Sequence, residues 1–118
     1  MTSEPRRGSA SAIMAAMKEQ FLYFVRPTRL AMLTEGPTEE EMAALMGHVA
    51  YFDRLVAEGQ VIVYGRTQNN DEKTMGIAIF EANDAAEAQQ LLEADPAVAQ
   101  GVFAGEVLPY KIAGMRKA

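Results

Sequence analysis

The sequence predicts an α+β domain in which a four-stranded antiparallel sheet carries two helices on one face. Three observations lead there: four short runs rich in aromatic and β-branched residues, two longer stretches with helical apolar spacing, and their order, strand, helix, strand, strand, helix, strand. At 118 residues, 49% hydrophobic and 23% charged, the chain suits a single soluble domain with one core.

The first strand is predicted at Phe21 to Arg26, closed by Pro27. Residues 1 to 20, rich in Ser, Ala and charge, read as an extension in which Ala12 to Lys18 could turn into a short helix, with Met17-Lys18 a natural start for the domain proper. After a connection from Pro27 to Pro37, Thr38 with Glu41 three residues later makes a capping box, and Glu39 and Glu40 complement the helix dipole. Met42, Leu45, Met46, Val49, Phe52 and Val56 then recur at three- and four-residue steps and predict one buried stripe, ended by Gly59.

Val61 to Tyr64 predicts the second strand, and the turn residues Asn69-Asn70-Asp71 predict a hairpin to a third strand at Met75 to Phe80. Asp84 with Glu87 caps a second helix with apolar positions Ala85, Ala88, Leu91 and Leu92. Val102 to Ile112 predicts the fourth strand, which Pro109 assigns to an edge or a bulge. The domain thus spans 21 to 114, with 115 to 118 a tail. This order is the split βαβ, or ferredoxin-like, βαββαβ arrangement.

The strands carry large apolar side chains at both parities, yet two helices cover only one face. The other face needs a cover, and a second copy stacking sheet on sheet to make a homodimer is the economical one; the extension folding back is the alternative.

Several function classes are disfavoured. Eleven Lys and Arg against sixteen Asp and Glu give a net charge of -5, which repels nucleic acid and anionic lipid. No apolar run is long enough to cross a bilayer, and the stretch after Arg6-Arg7 is interrupted by Ser11, so neither a membrane nor a secretion signal is expected and the protein is read as cytoplasmic. There is no cysteine, and serine occurs only at 3, 9 and 11, so covalent acyl-enzyme chemistry is not expected. One histidine, no cysteine and no Gly-rich phosphate loop predict no metal and no cofactor.

The candidate chemistry is acid/base. His48, the one histidine, falls at the border of the stripe on the first helix, as a general base at a cleft edge or as a structural residue. Asp95 precedes Pro96 where the second helix should end; it either caps a turn over Pro96 to Gln100 or holds the His48 imidazole in one tautomer. Arg66 could bind a substrate carboxylate in a bidentate fork or be a plain strand-end residue. Tyr23 and Tyr64 could line a substrate pocket or simply pack. Glu39 to Glu41 read as capping, and Met42 and Met46 as core.

Phe21 to Arg26, His48 with Tyr51 and Leu55, Gly59 before Val61 to Gly65, Gly76, Ala88, Asp95-Pro96, Gly101 and Val107 to Tyr110 together resemble the YciI-like (YCII-related) family over about residues 21 to 112. The resemblance implies a ferredoxin-like dimeric α-β barrel related to muconolactone isomerase, with an active-site His and Asp that map onto His48 and Asp95. Some members of that family act on chlorinated hydroxymuconates or similar lactone-related acids, and many have no established activity. Ile77 departs from the pattern, standing where serine often follows the strand-three glycine.

Two functions remain in view. One is a cofactor-free acid/base enzyme of isomerase, dehydrochlorinase or lactonase type; the other is a non-catalytic module that binds a small molecule or serves as a dimeric scaffold.

Overall fold

The computed structural model describes residues 18–117. Most of the extension over residues 1 to 20, including nearly all of the expected Ala12 to Lys18 helix, lies outside them. The elements are β1 (Glu19–Pro27), α1 (Ala31–Thr34), α2 (Glu39–Ala57), β2 (Val61–Arg66), β3 (Gly76–Ala82), α3 (Ala85–Ala94), α4 (Pro96–Ala99) and β4 (Phe103–Tyr110). Every major element occurs as predicted. β1 begins two residues before Phe21, β2 runs on to Arg66, and β3 is shifted to end at Ala82. The one-turn α1 is an addition that its connection conceals, while α4 is the turn expected over Pro96 to Gln100.

The sheet order is β2-β3-β1-β4, all pairs antiparallel, so β4 is an edge strand and Pro109 sits where its missing N–H costs no interior ladder bond. Alternate residues of the central strands, Phe21, Tyr23 and Val25 on β1 and Ala78, Phe80 and Ala82 on β3, are buried beneath the helices. Phe52, Leu55, Ala88, Leu91 and Leu92 close over them to form one core.

The opposite face is apolar and open. Register places Val63, Ile79, Leu22 and Leu108 on one rung across all four strands, with Ile77 and Phe24 on the next. Val63 is 53% and Leu108 44% exposed, far from a sealed core.

Both predicted helix starts form. The Thr38 side chain accepts from Glu41 N–H at 3.1 Å while Glu41 accepts from Thr38 N–H at 2.9 Å. Asp84 accepts from Glu87 N–H at 2.9 Å. Arg29 adds a two-pronged grip on Glu41, Nε to Oε2 at 2.8 Å and Nη2 to Oε1 at 2.5 Å, fixing the incoming chain to the start of α2.

The buried stripe of α2 differs from the expected one. Met42, Met46, Val49 and Val56 are exposed, between 42% and 67%, while Phe52 and Leu55 are sealed against the sheet and Ala44 is buried in a second cluster with Met32, Ala97 and Val102. The helix is apolar on more than one side, so spacing alone does not fix its rotation; packing against Tyr23 and Tyr64 does. The rotation carries His48 from the border of the inward face into it. Ala85, also expected inward on α3, is exposed.

Gly105 on β4 admits no side chain: a Cβ there would lie 1.9 Å from the Phe24 carbonyl oxygen and 2.7 Å from Val25 Cα. Because both obstacles include backbone, Gly105→Ala is expected to cost about 3 kcal/mol, read as a lower denaturant midpoint. The grip on Glu41 has a pH signature. Its carboxyl is held at about 2, chiefly by the Arg29 guanidinium and then by Thr38 N–H, below its ordinary 4.5. A lowered folded-state value stabilises above the unfolded value and is lost on acidification, so the stability difference between wild type and Glu41→Gln should shrink from pH 4.5 towards 2. A difference constant over that range would show that the grip contributes nothing.

Candidate active site

The site is built around Asp95, whose side chain is fully buried at the junction of α3 and α4. Its Oδ1 accepts from Ala97 N–H at 3.0 Å and caps α4, with Pro96 as the first helical residue. Its Oδ2 accepts from Tyr23 OH at 2.5 Å and meets His48 Nδ1 at 2.9 Å. The two readings of Asp95 are therefore not alternatives. One oxygen caps and the other holds the imidazole.

Three elements supply the donors, because Tyr23 points inward from β1, His48 from α2, and Ala97 lies in the single turn of α4. Gly47 permits the approach of α2 to α4: a Cβ on it would lie 3.1 Å from Pro96 Cβ, tighter than ordinary contact. A glycine beside His48 in mid-helix is the signal in the sequence that two backbones meet there.

The imidazole is held on its faces as well. Its ring centre lies 5.0 Å from Phe52, one helical turn further on, and 5.1 Å edge-on from Phe103 at the start of β4. Since a carboxylate oxygen only accepts, Nδ1 carries the proton, which leaves the Nε2 lone pair for the cavity beside it. The side chain retains 17% exposure, enough to meet a ligand.

That cavity has a volume of about 420 Å³ and is lined by His48 together with Val25, Leu45, Tyr64, Arg66 and Phe103, among others. Arg66 is at its wall, but its guanidinium is already engaged with its own loop: Nε donates to the Thr67 carbonyl at 2.7 Å, and Nη2 to the Asn69 carbonyl at 3.2 Å and Asn70 Oδ1 at 2.7 Å. Tyr64 lines the cavity with its ring, while its hydroxyl donates to Asp53, a bond that raises the Tyr64 pKa above the ordinary phenol value.

Tyr23 sits elsewhere than the sequence led us to expect. It is 1% exposed and stands behind the His48–Asp95 pair instead of lining that cavity, packed beneath α2 with its hydroxyl on Asp95 and its ring against Phe52. Burial, then the bond to Asp95, pushes its phenol far above the ordinary range, so it remains a hydrogen-bond donor throughout the physiological range. Asn70 and Thr74 were not anticipated at the cavity wall; their turn chemistry masks a second role. Among the described residues no three His, Cys, Asp or Glu side chains converge to hold a metal, and no helix is long and apolar enough to cross a membrane.

The fold has a counterpart among solved structures. The structure of 5-chloro-2-hydroxyhydroquinone dehydrochlorinase (TftG) from Burkholderia phenoliruptrix AC1100, in complex with 2,5-dihydroxybenzoquinone, is similar to this one with a TM-score of 0.57 and 25% sequence identity. The likeness covers 78% of this chain and 93% of that one. No curated protein matches the chain significantly. The family model of the YCII-related domain matches residues 12–111, which takes in β1 through β4, the His48–Asp95 pair and the cavity, and the chain belongs to the YCII-related family.

Proposed function

We propose that the chain is a cofactor-free acid/base enzyme that moves a proton on a small unsaturated acid, with His48 as the base. The observation that carries this reading is the 2.9 Å contact between His48 Nδ1 and the buried Asp95 carboxylate, at a point where the imidazole meets the cavity.

In this mechanism Nε2 of His48 takes a proton from an activated carbon or hydroxyl of the substrate, and the carboxylate of Asp95 stabilises the imidazolium that results. The electron pair released has two outlets. It moves along the conjugated system and a proton returns elsewhere, which is isomerisation, or it expels chloride, which is elimination of HCl. Opening of a lactone by a water deprotonated at Nε2 uses the same base. The similarity to a dehydrochlorinase supports elimination. Arg66 would bind the substrate carboxylate or ring oxyanion through the N–H groups its loop leaves free, and Tyr64 would offer its ring to a flat substrate. Tyr23 acts as a positioning residue, fixing Asp95 instead of touching the substrate.

The test is a turnover screen of small unsaturated acids and chlorinated hydroxyquinols. His48→Gln should lower kcat by roughly 10²–10⁴-fold without loss of the cooperative melt. Tyr23→Phe should lower kcat with KM unchanged, since only positioning is lost. ¹⁵N NMR of the lone imidazole should report the Nδ1–H tautomer in wild type and the Nε2–H tautomer in Asp95→Ala. Turnover undiminished in His48→Gln would sink the mechanism, and ligand binding without turnover would leave a binding module.

The same reading includes a homodimer, supported by the apolar rung across the open face, where Val63 and Leu108 stand exposed and a second copy would cover them. Sedimentation should give about twice 12.9 kDa, and Leu22→Asp should halve it while preserving the circular dichroism spectrum. A wild-type mass of 12.9 kDa would overturn the dimer.

A further inference from the structure

The cavity beside His48 has two chemically distinct walls. Arg66, Asn70 and Thr74, from the end of β2 and the loop to β3, form one; Leu33 of α1 with Leu45 and Val49 of α2 form another.

The polar wall presents a fixed cation. Every acceptor engaged by Arg66 is neutral, two carbonyls and an amide oxygen, and among the described residues no carboxylate lies within ion-pair distance of it. The loop that holds it is itself tied down: Thr74, 4% exposed, donates to the Asn69 carbonyl at 2.5 Å and accepts from Asp71 N–H at 3.1 Å, and Asp71 accepts from Lys73 N–H at 2.8 Å. A guanidinium oriented in advance and left without a counter-ion favours an anion, at little ordering cost.

The cavity is larger than a single ring needs. The aliphatic side chains of its apolar wall offer no hydrogen bond, and about 420 Å³ falls within the range that accommodates drug-sized ligands, roughly 300–1,000 Å³. A substituted six-membered ring held at Arg66 and His48 would leave this wall in contact with water, whereas a longer hydrocarbon would cover it.

We propose that the site takes an acid with an extended apolar tail, its anionic head at Arg66 and its hydrocarbon along Leu33, Leu45 and Val49. This rests on the reading of the cavity as the substrate site, and it adds a class of substrate larger than single-ring compounds. His48 then lies beside the carbons near the head group, where conjugation with a carboxylate makes a proton acidic.

The experiment is calorimetric binding of but-2-enoic, hex-2-enoic, oct-2-enoic and dec-2-enoic acids to the full-length chain carrying His48→Gln, so that affinity is read without turnover. Affinity should rise by up to about fourfold per added CH₂, the gain from burying one methylene, until the wall is covered. Arg66→Gln should weaken every acid by a similar factor and remove the preference for oct-2-enoic acid over oct-2-en-1-ol. Val49→Asp, at a position 47% exposed and so tolerant of charge, should flatten the chain-length dependence while sparing but-2-enoic acid. Equal affinity across the series, equal binding of acid and alcohol, or a chain-length dependence untouched by Val49→Asp would each overturn the proposal. Chain-length-dependent binding without wild-type turnover supports it and removes only the catalytic reading. Turnover of single-ring compounds with flat affinity removes this proposal and leaves that reading standing.

Discussion

The structure depends on one buried carboxylate. Asp95 accepts from β1 through Tyr23, from α2 through His48 and from α4 through Ala97, so a single side chain joins the sheet to both helical segments above it. A buried carboxylate is costly unless its lone pairs are satisfied, and here three donors satisfy it. That requirement constrains the neighbours in turn. Tyr23 must keep its inward parity, α2 must be rotated so that His48 faces the sheet, and Gly47 must stay small so that α2 can reach Pro96.

The aromatic packing follows from the same constraint. Phe52 contacts Tyr23, His48, Tyr51 and Tyr64 with ring centres 5.0–5.3 Å apart, so the largest side chain of the inward face of α2 also orients the imidazole. Core and site share residues. A cavity-forming change at Phe52 would therefore loosen His48 and the fold together, whereas a change at Arg66 acts on the cavity wall, outside the core.

What could be read in the sequence was mainly local. Thr38 with Glu41 and Asp84 with Glu87 mark helix starts because the hydrogen bonds involved span three residues. Strand order and the edge position of Pro109 followed from element order and backbone chemistry. The face that α2 buries did not, because Met42, Met46 and Val49 are as apolar as the residues that won and only contact with the sheet distinguishes them. His48 and Asp95 stand 47 positions apart, and no spacing rule joins them; resemblance singled out the two and folding brought them together. Tyr23 was legible in part: alternation with Phe21 and Val25 already placed it inward, but not that its hydroxyl would find Asp95.

The sharing of Oδ2 between Tyr23 and His48 bears on how charge can move. Two donors meet on one oxygen, and either one that turned away would lose its acceptor in a buried environment and leave the carboxylate one donor short. They are not equivalent donors. Burial and the neighbouring carboxylate keep the Tyr23 phenol protonated, so it cannot become an anion that would compete for the proton His48 acquires. The imidazole alone among the three reaches the cavity. In the proposed mechanism a proton taken from that side would rest on His48, where its charge would face a carboxylate already held in place by the other two donors, so the preorganisation such a transfer requires is a property of the fold itself.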